Sequence, residues 1–178
     1  MTTNAQILWI SALAFSFVAG FTDFRTRKIP NWLTVSGFVL GVGLHVWMSG
    51  FHGFLKSLEG AGLALGLLLP LVLMRALGAG DWKMMGAIGA LLGPLMMIFV
   101  LLASVLITGV MALFRMVQTG QVKSTLKNLV MLVHGFAAFG LRPNPEISLD
   151  NPRLMKLPFG VGAAIGTLVC FVAALWIK

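Results

Sequence analysis

Long apolar runs separated by short polar hinges set the pattern of this chain. A run of about 20 apolar residues is long enough to cross a ~30 Å hydrocarbon core as a helix. Backbone in lipid must satisfy its own hydrogen bonds, which favours helices. The alternating pattern of a membrane β-barrel is absent. The pattern places a first helix over 7–21, a second over 32–48 and a third over 58–74. Between the first two lies a polar hinge, in which Pro30 turns its predecessor away from helix and Asn31 suits an N-cap. A link over 49–56 joins the second helix to the third, and Arg75 closes the third opposite Lys56. The apolar stretch 84–116 is too long for one crossing and tight for two. Gly93-Pro94 should break it, giving a short crossing over 83–92 and another over 95–113. Residues 123–139, with Leu126, Leu129, Val130, Val133 and Phe136 toward one side, read as an amphipathic helix lying on the membrane face. Pro143, Pro145 and Pro152 mark 141–153 as a loop before a last helix over 157–177. The expected fold is all-α: a polytopic membrane bundle of about six transmembrane helices plus the interfacial helix, in one domain over 1–178.

Composition sharpens this picture. The chain is 58% apolar and 10% charged, against about 25% charged in soluble domains, and its mean hydropathy is +0.96. A net charge of +8 could indicate nucleic acid, but the basic residues are scattered between apolar runs and act better as topology signals. With six crossings and the amino terminus outside, Arg25, Arg27, Lys28, Arg75, Lys83, Arg115, Lys123, Lys127, Arg142, Arg153 and Lys156 fall inside. Only Lys56 and Lys178 fall outside, as the positive-inside rule requires. Met1 to Gln6 lacks a basic n-region, so the first helix is expected to be retained. Small-residue spacings at Gly37/Gly41, Gly62/Gly66, Gly89/Gly93 and Gly162/Gly166 suit close helix packing. The abundant methionines and phenylalanines suit core or lipid-facing positions.

Candidate chemistry then narrows to two residues. Of five acidic side chains, Asp23 and Asp81 each stand at the end of a membrane-length run, where an ionisable group is expensive and marks a functional site by default. Six crossings place both on one membrane face. Two carboxylates held close cannot easily both ionise, so the pair shares a proton near neutral pH. One can then activate a water while the other polarises a peptide carbonyl, without a metal or cofactor. Gly78 and Gly80 would let backbone approach Asp81 closely. Two alternatives stay open. Asp81 could cap its helix while Asp23 pairs with Arg25 or Lys83, or both could serve as proton or cation sites of a transporter. His45, His52 and His134 lack Glu or Cys at ligand spacing, and Cys170 stands alone, so no metal site or disulfide framework is expected.

These residues resemble the prepilin peptidases. Asp23, Arg25, Ile29, Pro30 and Asn31 resemble the family's first-aspartate motif. Gly78-Ala79-Gly80-Asp81-Trp82-Lys83 resembles its Gly-x-Gly-Asp-x-Lys motif, and Lys156-Leu157-Pro158-Phe159-Gly160 its Pro-aromatic-Gly lead-in to the last helix. The resemblance implies an aspartic endopeptidase of the bacterial inner membrane. Such an enzyme removes a short basic leader from prepilin-like substrates at the cytoplasmic face, beside an apolar pilin helix held in lipid. It makes Asp23 and Asp81 catalytic, with Gly78, Gly80 and Lys83 shaping the second aspartate's surroundings and Arg25, Pro30 and Asn31 part of the first motif. The larger members carry a cysteine-paired cytoplasmic insertion and an N-methyltransferase activity. The hinge here is too short for that insertion, so methylation is not expected, and the chain is more like the small peptidases of Flp-type pili. Presenilin-type proteases share Gly-x-Gly-Asp but place their first aspartate after Tyr, whereas here Thr22 precedes Asp23.

Overall fold

The computed structural model describes residues 2–120, 130 and 158–176. Among them every regular element is a helix, in the order α1 (Thr3–Thr26), α2 (Asn31–Leu73), α3 (Ala79–Leu92), α4 (Pro94–Gln118) and α5 (Phe159–Trp176). The expected all-α class is therefore met. The stretches 123–139 and 141–153, expected as an interfacial helix and a loop, lie outside the described residues. Four helices are long and apolar enough to cross a membrane, where about six crossings were expected. One reason is that α2 takes in two of the expected helices. The other is that α3 has 14 residues, roughly 21 Å at 1.5 Å per residue, short of the hydrocarbon core.

Helix α2 is one element only in its hydrogen bonding. At Ser49 and Gly50 the backbone leaves helical values, and Gly50 takes a φ of 55° that glycine adopts without steric cost. The chain doubles back there. His45 before the kink and Ser57 after it both reach the last turn of α3, binding the carbonyls of Leu91 and Ala90. Farther along, Thr34 and Phe38 of the first arm and Leu65 of the second flank Trp82 and Gly86 near the start of α3. The two arms thus clasp α3, the first parallel to it and the second antiparallel. The expected link over 49–56 is shorter than anticipated, since helical residues resume at Phe51.

Helix α3 is the core. Met84, Met85, Ile88 and Leu91 are fully enclosed, whereas α4 turns Phe99, Leu102, Leu106, Val110 and Phe114 outward. An apolar surface of that extent fits a lipid surround. In lipid, burying apolar area drives helix association little, because acyl chains are as apolar as leucine; close backbone approach has to do it. At Gly60 and Gly89 the two backbones touch, and a Cβ on either would overlap the other's carbonyl. Gly41 lies on the backbone of Ala90 and Leu91, Gly37 on the ring of Phe15, Gly162 on Thr108 and Gly166 on Ser104. Gly62 and Gly66 depart from expectation: among the described residues nothing lies near where their side chains would be, so that pair packs against no described helix.

Turns at the helix ends follow from local chemistry. Gly93, with φ 77°, reverses the chain, and Pro94 opens α4 at a position whose N–H needs no partner. Helix α2 ends in a Schellman motif. Arg75 adopts the left-handed conformation at φ 57°, Ala76 N–H donates to the Leu71 carbonyl at 2.8 Å, and Arg75 N–H to Val72 at 2.9 Å. Helix α5 closes the bundle antiparallel to α1, with Trp9 and Phe171 at a ring separation of 6.0 Å at one end and Gly20 on Gly160 at the other.

Candidate active site

Asp23 lies in the last turns of α1 and is only 6% exposed. Its Oδ2 accepts the backbone N–H of Gly160 at 2.9 Å. Gly160 is in the first turn of α5, whose leading N–H groups lack intrahelical acceptors, so the carboxylate satisfies a donor that the helix leaves open. The fit is tight. A Cβ at Gly160 would lie 2.9 Å from Asp23 Cβ and 3.0 Å from its Oδ2, so any larger residue would push α5 off the aspartate.

Asp81 sits in the first turn of α3, outside the four long spans. Its carboxyl folds back over the helix start, 3.0 Å from where a Gly78 side chain would begin. Gly80 faces the hinge: a Cβ there would stand 3.3 Å from Ile29 Cβ and 3.5 Å from the Ile29 backbone. The two glycines therefore make room for different things, Gly78 for the carboxyl and Gly80 for the hinge that follows Asp23. Burial pushes Asp81 up to about 7, and the neighbouring Asp23 charge adds to the rise. A helix N-terminus favours a carboxylate by only about 0.3–1 kcal/mol, too little to offset burial and a like charge.

A second link joins the two motifs. Lys83 Nζ donates to Asn31 Oδ1 at 3.0 Å. Asn31 was expected to cap α2; instead Pro30 holds the N-cap position, with its carbonyl accepting from Leu33 and Thr34. The amide of Asn31 is thereby turned toward α3. Arg25 is exposed on the last turn of α1. Trp82 anchors the start of α3 from the other side, its Nε1 donating to the Leu65 carbonyl at 2.8 Å.

The structure thus brings together Asp23, Asp81, Gly78, Gly80, Pro30, Asn31 and Lys83 at one end of the bundle. To these it adds Gly160 and Ile29, which belonged to quoted motifs without an assigned role, and Trp82. For Gly160 a signal existed: a glycine one residue into a helix whose first N–H groups need acceptors. Ile29 and Trp82 carry no such signal, since either reads equally well as core. His45, which lacks metal-ligand spacing in the sequence, is buried with its ring against the Leu91 carbonyl. Among the described residues no group of three or more His, Cys, Asp or Glu side chains gathers.

A bundle of long apolar helices, with Asp23 buried at one end and the half-buried Asp81 close enough to feel its charge, defines an integral membrane protein with two acids at one site. A model of the type IV leader peptidase family matches residues 10–113, a span that holds both aspartates and ends before α5. The chain belongs to that family; it is a protease, and its substrates are prepilin-like. No curated protein and no solved structure is significantly similar to it.

Proposed function

We propose that the protein is an aspartic endopeptidase of the bacterial inner membrane that removes the short basic leader of prepilin-like substrates, with Asp23 and Asp81 as the catalytic pair. The observation that carries this reading is the half-buried Asp81, raised to about 7 within reach of a second carboxylate that accepts a helix-terminal N–H. The two environments suit different protonation states at neutral pH. Asp23, bonded to the Gly160 N–H, is the ionised member and accepts a proton from a water molecule as its oxygen attacks the scissile carbonyl carbon. Asp81, protonated, donates a hydrogen bond to the carbonyl oxygen as negative charge develops there. The tetrahedral intermediate collapses when the C–N bond breaks and the leaving nitrogen takes the proton held by Asp23. Lys83, tied to Asn31, keeps the α2 start and the α3 start in register around the pair.

The charge distribution supports a cytoplasmic site. Among the described residues Arg25, Arg27, Lys28, Arg75, Lys83 and Arg115 lie toward the aspartate end, while Lys56 packs against Gly93 at the other. Counting the two arms of α2 separately and α3 as a short, protein-enclosed crossing gives the six passages that this orientation needs. The short hinge between α1 and α2 suits a small Flp-type peptidase without methyltransferase activity.

The test is cleavage of a prepilin-like substrate, consisting of a basic leader joined to an apolar helix, by purified protein in detergent. Asp23→Asn and Asp81→Asn should each abolish cleavage, a loss on the order of 10⁴-fold if each acts as one member of a unit, with membrane insertion unchanged. Cleavage retained by either variant would remove the acid pair from the mechanism.

A further inference from the structure

The groove between α1 and α5 takes no part in the chemistry above. It is open, almost wholly apolar and about 580 Å³ in volume. Phe17, Phe21 and Phe24 line it from α1, Ile165 and Leu168 from α5. The three phenylalanines are 71%, 55% and 67% exposed, and their spacing of four and then three residues stacks them along one helix face. Lipid covers outward phenylalanines elsewhere on the bundle; what sets this ladder apart is its place beside the site.

Two observations tie the groove to the site. Its floor includes Gly20, which rests on the carbonyl of Gly160, the residue whose N–H holds Asp23. Its upper end is closed by Phe24 and Val161, the direct neighbours of Asp23 and Gly160. A segment lying in the groove therefore emerges at the turn of α1 that carries Asp23. Charge points to what that segment is. Among the described residues the aspartate end carries six basic side chains, so a basic leader meets repulsion there and cannot supply the docking energy. Recognition has to come from the apolar part of the substrate.

We infer that the groove between α1 and α5 docks the apolar helix of the substrate, with Phe17, Phe21 and Phe24 contacting one face of it and the scissile bond leaving the groove at Asp23. This rests on the peptidase reading above and adds where and how the substrate is held. The mode is a helix laid in an apolar groove, set in lipid, where aromatic contact and close packing replace the hydrophobic drive available in water.

The experiment uses the full chain in nanodiscs with p-benzoylphenylalanine in place of Phe21, on an Asp81→Asn background so that substrate is not consumed. The probe is a synthetic polypeptide with a basic leader and a ~20-residue apolar helix. Irradiation should crosslink position 21 to the apolar helix of the probe, and the same photoreactive residue in place of Leu106, on the outer face of α4, should not. Crosslinking only to lipid, only to the chain's own residues, or equally from both positions overturns the proposal. A second measurement uses Ala14→Trp, which fills the groove with an apolar side chain. It should raise KM for the helix-bearing substrate about tenfold more than for a leader peptide lacking the helix, as expected when a central contact is lost. Equal effects on the two substrates would reduce the groove to a structural feature. Failure of the wild type to cleave either substrate would instead sink the peptidase reading, which the crosslink does not depend on.

Discussion

The two ends of α3 are built on opposite principles. At the far end two backbone carbonyls of the last turn find side-chain donors, Ser57 to Ala90 at 2.8 Å and His45 to Leu91 at 3.2 Å, and Gly60 lies on Gly89. At the near end a carboxyl is buried beside another carboxyl and raised to about 7. The first arrangement satisfies polar groups and lets backbones touch, which is what holds helices together in lipid. The second sets one carboxyl beside another where solvent is scarce, which costs stability and is typical of functional sites. One short helix is thus gripped at one end so that it can hold an unfavourable group at the other.

Breaking the grip should have the largest effect on stability. Gly89→Leu forces a side chain into the Gly60 carbonyl and should cost on the order of 4 kcal/mol, read as a fall in thermal unfolding midpoint in detergent. An unchanged midpoint would show that the contact is not what holds the clasp. Gly160→Ala sharpens the comparison from the other end. Its methyl group would displace α5 from Asp23 and should lower the cleavage rate about 10²-fold, as misplacement of a reacting group does, with a smaller change in midpoint than Gly89→Leu. Equal loss of fold and activity would mean that Gly160 only packs.

The protonation of Asp81 gives a third measurement. Its folded pKa of about 7 lies above the 3.8 of an ordinary aspartate, so the folded state holds the proton more tightly than the unfolded chain. Stability is then highest at low pH and falls as pH rises through 7, where Asp81 must carry charge while buried. On the proposed mechanism Asp81 acts protonated, so cleavage should fall roughly tenfold per pH unit above about 7. Asp23→Asn removes a neighbouring negative charge and should move the Asp81 titration downward, as read by infrared absorption of its carboxyl. A titration that does not move would separate the two acids. The smallest effect is at the far end: Ser57→Ala leaves the Ala90 carbonyl without its donor and should cost about 1 kcal/mol, with the pH profile of cleavage unaltered.

Much of this was legible in the chain. Apolar runs bounded by Pro30, by Gly78 to Asp81 and by Gly93-Pro94 marked the helix limits to within a few residues, because proline and glycine act on the backbone locally. Asp23 and Asp81 stood out because few acids occur in so apolar a sequence. The doubling back at Ser49 and Gly50 was legible as a break but not as a clasp around α3, since which faces meet depends on residues far apart. Asn31 misled for the same reason. Its amide suits a cap, but a lysine 52 positions away on another helix took it.

The sequence by itself marked the apolar segments, the breaks between them and the two acids at their ends, all consequences of local hydropathy, backbone geometry and charge. Only the tertiary structure decided that α3 is wrapped by the arms of α2 and that the first turn of α5 reaches Asp23. It also decided that Asp81 lies close enough to that charge to hold its proton near neutrality. Those are distances between segments separated by tens of residues, and no local pattern encodes how deeply a carboxyl is buried or which backbone N–H it meets.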